Sequence, residues 1–205
     1  MSIAIVQRIL GQAALLEGEY DRAEAAFTED LAGMVALKDL QTRGTALKNL
    51  GDVAMLQGDP ARARAYYEQA VAQCRETGAF PTDLASALAG LGRAAMALGD
   101  AALALASFRE SLRLWQRPRT HDQPEVAGVL EDLGRLAAAR GQAERAFRLI
   151  GSATAIRDVT GAPLTSDDRA KLDHDLAPTG AALGREQSAA AAAAGRAMSR
   201  EQAVA

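Results

Sequence analysis

With 205 residues, 49% hydrophobic content and only 4% aromatics, the chain can bury a core but must build it largely from small side chains. Its net charge of −3 and pI near 5.5 exclude a global attraction to nucleic acid or anionic membranes. The single cysteine, Cys74, excludes an internal disulfide and fits a reducing cytoplasm, and no apolar run reaches the ~18 residues of a membrane span.

Periodic segments are nearly free of proline and lack β-branched runs, and alanine is both abundant and the strongest helix former. The fold class is therefore all-α. Met1–Gly11 lacks a basic segment followed by a long apolar run, so no leader is expected. Arginine outnumbers lysine 20 to 3 (Lys38, Lys48, Lys171), which reads as the codon usage of a GC-rich genome rather than as phosphate binding.

In chain order, apolar residues at 3–4-residue spacing predict helix pairs over 3–17 with 20–36, 42–57 with 60–77, 82–98 with 100–116, and 124–140 with 142–158. Leu50–Ala70 shows the unit most clearly. Leu50, Ala54 and Met55 share one stripe and Ala63, Tyr67 and Ala70 another, split at Gly58-Asp59-Pro60. Asp59 is placed to cap the second helix, and Pro60 suits its first position because the missing N–H would be unpaired there. In the third pair Leu84, Leu88, Leu91, Ala95 and Leu98 form the inner stripe, and in the fourth Val126, Leu130, Leu133 and Ala137. Between these pairs Arg117–Pro124 is a polar, proline-bearing connector.

Four columns recur through these pairs. Leu-Gly occurs at Gly11, Gly51, Gly92 and Gly134, so successive copies are offset by 40, 41 and 42 residues. Seven residues later come Gly18, Gly58, Gly99 and Gly141, then Ala23, Ala63, Ala104 and Ala146, then Phe27, Tyr67, Phe108 and Ile150. A glycine within a helix costs about 1 kcal/mol against alanine, so the first column implies close approach of a partner helix. The second column suits a left-handed helix end. The alanines permit tight packing of the second helix, and the aromatic column is expected to fill the space between successive hairpins.

Repetition ends near residue 160. Thr160–Leu164 breaks the fourth hairpin, Thr165-Ser166-Asp167-Asp168 offers a capping box, and helices are expected at about 166–183 and 186–195, with Ser199 and Gln202 capping a short last turn. Residues 1–160 thus form the array, in copies of about 1–39, 40–80, 81–121 and 122–160. Residues 161–205 form a helical cap of the kind a solenoid end requires.

This arrangement resembles the tetratricopeptide repeat, whose signature places Leu-Gly, a turn glycine, Ala and Phe at these relative positions, although its period here exceeds the usual length. Ala146–Leu164, Asp168–Asp173, Ala181–Gly184 and Gly195–Ala205 are similar to the C-terminal closure of bacterial signal-transduction ATPases and of MalT-like and LuxR-type transcription regulators. The resemblance implies a right-handed superhelix of about four hairpins whose concave groove, lined by first helices, engages a protein, a peptide or a small effector. In that family an aromatic tends to precede the Gly-Arg-Ala segment. Alanines stand there in this chain (Ala189–Ala194), so looser docking of the tail is expected.

Signals for chemistry are weak. No G-x-x-x-x-G-K-[ST] occurs, and Gly90-Leu91-Gly92-Arg93-Ala94-Ala95 matches a dinucleotide string inside a helical stripe with no strand before it. Asp173-His174-Asp175 is the one compact ligand cluster, but adjacent helical residues diverge, and His121-Asp122 has no second pair at ligand spacing. Gly151-Ser152-Ala153 lacks the G-x-S-x-G pattern. Cys74, beside Arg75, reads as a small packed residue. Arg109, Arg113, Arg117 and Arg119, with Trp115 nearby, form a basic stripe read as a solvated ridge. No catalytic, cofactor or metal residue is assigned, and the expectation is a non-enzymatic cytoplasmic module that binds neither nucleic acid nor membrane. A protein or peptide partner is expected, or else a small-molecule effector. The groove candidates are Lys48, Asp52, Arg93, Glu131 and Arg135. The competing reading is a repeat domain that senses a small metabolite without a protein partner.

Overall fold

The computed structural model describes residues 3–37, 40–115, 124–198 and 202. All its elements are helices: α1 Ile3–Glu17, α2 Tyr20–Leu37, α3 Leu40–Leu56, α4 Pro60–Thr77, α5 Pro81–Ala97, α6 Ala101–Trp115, α7 Pro124–Ala139, α8 Ala143–Thr160, α9 Ser166–Leu183 and α10 Arg185–Ala197. The all-α expectation holds, and each boundary lies within about two residues of the one read from the sequence, as helix-end assignments allow. The Arg117–Gln123 part of the connector, with His121, Arg117 and Arg119, and Ser199 of the last cap lie outside the described residues.

One turn closes all four hairpins. Gly18, Gly58, Gly99 and Gly141 sit at φ of 75, 77, 78 and 71°, the left-handed region where a side chain is strained. The next N–H reaches back along the helix in every copy, from Glu19 to Ala14, Asp59 to Ala54, Asp100 to Ala95 and Gln142 to Ala137, each bond 2.9 Å long. This 6→1 bond satisfies a carbonyl that the helix end would leave open. The second helices begin just beyond. Asp59 Oδ1 accepts from Arg62 N–H, with Pro60 at the first helical position, and Asp100 Oδ1 accepts from Leu103 N–H. At α9 the expected cap forms: Thr165 Oγ1 accepts from Asp168 N–H at 3.1 Å and donates to the Asp168 carboxylate at 2.8 Å.

The chain divides into two compact units, Met1–Leu114 and Trp115–Ala205. In the first unit the aromatic column fills the space between successive hairpins at Phe27 and Tyr67, as expected, and does more besides. Its rings fill the interior of their own hairpins, each resting on the glycine 16 residues earlier. A Cβ at Gly11 would lie 2.5 Å from Phe27, one at Gly51 2.7 Å from Tyr67, and one at Gly92 2.5 Å from Phe108. Tyr67 also spans two hairpins, because Gly90 of α5 presses on the same ring. The G-x-G string of α5 is thereby explained. Gly90 receives Tyr67 from α4 and Gly92 receives Phe108 from α6. Around Tyr67 gather Leu47, Ala54, Ala63, Ala70, Leu88, Leu91 and Ala94. Leu98 leaves the stripe predicted for it: it caps α5 and is largely exposed, since the helix has already turned toward the hairpin bend.

In the second unit α7 and α8 pair in the same manner, with Gly134 against Ile150 at 2.7 Å for an added Cβ. Leu172 and Leu176 bury one side of α9. α10 does not dock loosely, which corrects the expectation drawn from its alanines. A Cβ at Gly151 would run into the Ala192 carbonyl, and one at Gly195 into the Arg148 carbonyl. Ser152 Oγ, buried, donates to the Gly195 carbonyl at 2.8 Å. Without large side chains between them, the two helices approach until backbone meets backbone.

Candidate functional site

The first unit brings three of the five groove candidates together. Lys48 and Asp52 are one turn apart on α3, and Lys48 Nζ pairs with Asp52 Oδ2 at 2.6 Å. The hydroxyl of Tyr67, carried across from α4 by its buried ring, donates to Asp52 Oδ1 at 2.6 Å. Burial and the Asp52 carboxylate push the Tyr67 hydroxyl far above its ordinary range, while Arg93 on α5 pulls it back part of the way. Tyr67 thus stays protonated and works as a fixed donor. Lys48 and Asp52 remain about a quarter exposed, so the pair reaches solvent.

Asp83, in the first turn of α5, extends the cluster. Desolvation raises its carboxyl and the Lys48 ammonium lowers it. Cys74 is buried next to it, with its thiol pushed up to about 11 by desolvation and then by Asp83. Arg75, its neighbour in sequence, pairs with Glu110 at 2.8 Å. Cys74 is a packed residue, lying 2.8 Å from where a Cβ at Gly44 would stand.

Glu131 and Arg135 on α7 do not offer free groups. Glu131 is buried and takes a two-pronged pair from Arg157, Nε to Oε1 at 2.6 Å and Nη2 to Oε2 at 2.9 Å, while Arg157 Nη1 also donates to the Ala162 carbonyl. Those hydrogen bonds hold Arg157 firmly protonated. Arg135 is divided between Asp132 and Asp175, both at 3.0 Å. Glu131 ties α7 to α8 and Arg135 ties α7 to α9, and of these pairs the buried Glu131–Arg157 one is broken only at a large cost. Sequence periodicity placed them on the first helix but could not foresee Arg157, which comes from the second. It also passed over the Tyr67 hydroxyl, although a tyrosine among Phe27, Phe108 and Ile150 marks where the column carries a polar atom.

Elsewhere in the second unit a cleft of about 400 Å³ opens between Glu144, Arg148, Leu183, Gln187 and Ala194, where Arg148 and Glu144 pair with each other. Among the described residues no three His, Cys, Asp or Glu side chains are grouped to hold a metal ion, and no helix is long and apolar enough to cross a membrane. Trp115 is buried, so it does not face a ligand alongside Arg109 and Arg113.

The tetratricopeptide-repeat family model matches residues 2–76 and 83–158. The chain belongs to the tetratricopeptide-repeat family. Its repeats are similar in fold to the crystal structure of BtubC (BKLC) from P. vanneervenii, with a TM-score of 0.74 and 22% identity over 93% of this chain and 78% of that one. They are also similar to the nearly identical TPR-like repeats of a putative kinesin light chain from Podosopora anserina, with a TM-score of 0.68 and 21% identity over 96% of this chain and 94% of the other. A single-substitution variant of the latter gives 0.69 and 22% over 96% and 95%. No curated protein is similar enough in sequence to count as a relative. Tetratricopeptide repeats are in general protein-interaction scaffolds, typically without catalysis.

Proposed function

We propose that this chain is a non-catalytic interaction or sensor module of a bacterial regulator, binding a partner protein or effector on the first helices of its repeats. Residues 1–160 form the binding array in this reading and residues 161–205 close it. The observation that carries it is the Lys48–Asp52–Tyr67–Arg93 cluster. Two first helices from adjacent hairpins present both signs of charge, held in place by a tyrosine whose ring is fixed in the core. Fixed charges set within a partly dry surface recognise polar groups with less reorganisation than mobile surface side chains. The membership of a signal-transduction or transcription regulator rests on the similarity of Ala146–Leu164 and Gly195–Ala205 to the closure of such proteins.

A photo-crosslinking residue at Lys48 should capture a partner that Arg93→Glu releases, with the fold unchanged by circular dichroism. Partner capture unaffected by Arg93→Glu and by Lys48→Glu would remove the cluster from the interface. Thermal stabilisation by a small metabolite with no captured partner would instead establish the metabolite-sensing reading.

A further inference from the structure

Within the second unit α9 is held more lightly than the helices that flank it. Of its 18 residues only Leu172 and Leu176 are buried, whereas α8, of equal length, buries six. Its other ties are side-chain contacts near the surface. Asp175 pairs with Arg135 of α7 at 3.0 Å while its own side chain stays 46% exposed. Phe147 of α8 is half-buried and lies 3.1 Å from where a Cβ at Gly180 would stand. Pro178 sits inside the helix, so the backbone bond back to the His174 carbonyl cannot form. α10 also buries few residues, Ala191 and Gly195, but it meets α8 backbone to backbone, and Ser152 holds its Gly195 carbonyl.

Both ends of α9 are anchored independently of its body. Arg157 Nη1 donates to the Ala162 carbonyl shortly before it, and α10 starts directly after Gly184. A segment fixed at both ends and lightly seated between them can lift away without carrying the tail along. Segments of low local stability open in this way as cooperative units. The place that α9 covers matters to binding. Arg135 follows the first-column Gly134 as Asp52 follows Gly51 and Arg93 follows Gly92. α9 therefore closes over the fourth copy of the position that carries the charged cluster in the second and third.

We infer that α9 is a releasable strap: it opens from α7 and α8 while α10 stays locked, and an acidic amphipathic helix of a partner protein takes its seat. The chemistry of that occupant follows from the one already seated there. α9 offers two apolar side chains one turn apart, Leu172 and Leu176, and beside them a carboxylate, Asp175, for Arg135. A partner helix with the same pattern fills the same places, as amphipathic helices do in grooves. The exchange rests on the partner-binding reading proposed above and adds to it a second seat, one that the chain itself keeps shut.

Native-state hydrogen exchange on the full chain tests the strap. Amides of α9 should exchange at least about tenfold faster than those of α8 and α10. Leu172→Ala should speed α9 further and leave α8 and α10 unchanged. The seat is probed with a labelled peptide of the α9 sequence, residues 165–183. It should bind the Leu172→Ala chain at least about tenfold more tightly than the wild type, because the chain's own strap then competes less. The same peptide carrying Asp175→Lys should bind neither. Protection of α9 equal to that of α10 would overturn the inference, and so would a tail that loosens together with α9. A labelled peptide bound by neither chain, or by both alike, would overturn it too. The Lys48 crosslink reports on the first unit, so capture there without peptide binding here would remove the strap and leave the partner-binding reading standing.

Discussion

Glycine brings helices together in the hairpins of both units and at the cap of the second, but for opposite reasons. In the first unit Gly11, Gly51, Gly90 and Gly92 make room for a ring, so two helices are held by one large side chain between them. In the second, Gly151 and Gly195 make room for a backbone, and α8 and α10 meet with almost nothing between them. A ring against glycine buries much apolar area and tolerates small shifts of the ring. A carbonyl against glycine gains dispersion contacts along the helix but cannot yield to an added atom. The same residue type thus marks an adjustable joint in the hairpins and a rigid one at the cap.

Removing the ring should have the largest effect. Tyr67→Ala should lower stability by about 3–5 kcal/mol, as large-to-small changes at fully buried aromatics do, read as a drop in the urea midpoint. At the rigid joint, Gly195→Leu should be destabilising by about 3 kcal/mol, the upper end of overpacking. Limited proteolysis should then release the segment from Arg185 onward while the hairpins stay protected. Gly51→Leu should lower the melting temperature with a smaller loss, about 2 kcal/mol, because the ring it strikes is a side chain. Combining the milder Gly51→Ala with Tyr67→Leu should recover part of the loss, whereas no side-chain change can rescue Gly195→Leu. Equal penalties with no recovery in either unit would show that the two joints are of one kind.

Two smaller effects sharpen the polar end of the same ring. Tyr67→Phe keeps the ring and removes the donor to Asp52, with an expected loss of about 1 kcal/mol in chemical denaturation. Asp83 gives a pH signature. Its folded-state carboxyl is raised, so folding is penalised once pH climbs above the ordinary carboxylate value of 3.8 and the charge must form in a desolvated place. Asp83→Asn should therefore match the wild type in acid and equal or exceed it in stability at neutral pH. A deficit that grows toward neutral pH would mean that Lys48 more than compensates the burial.

Much of this fold is written in spacing. The turn glycines, the caps at Asp59 and Thr165, and the period of the helices are local signals, and local signals survive into the folded chain. The glycine and aromatic columns also announced that something must fit together, but spacing alone does not say what a glycine receives. It sent the rings between hairpins, where Phe27 and Tyr67 do reach, but did not show that each ring also fills its own hairpin, and it read six alanines as a loose cap because small residues look like missing contacts. Alanine and glycine hold a helix by letting it come nearer, and that distance is fixed by a partner far away along the chain. The groove residues divide for the same reason. Lys48 and Asp52 are one helical turn apart and pair locally, whereas Glu131 is claimed by Arg157 from another helix.

Tyr67 touches Gly51 of its own hairpin and Gly90 of the next. In a stacked array the stability of the whole is a sum of terms within units and terms between neighbours, and the balance decides whether units melt singly or together. A ring shared by two hairpins puts one residue's packing into both kinds of term at once. The second hairpin cannot open without uncovering a face of the third. Amide hydrogens of α3, α4 and α5 should accordingly exchange as one cooperative block, with fraying confined to the ends of the array.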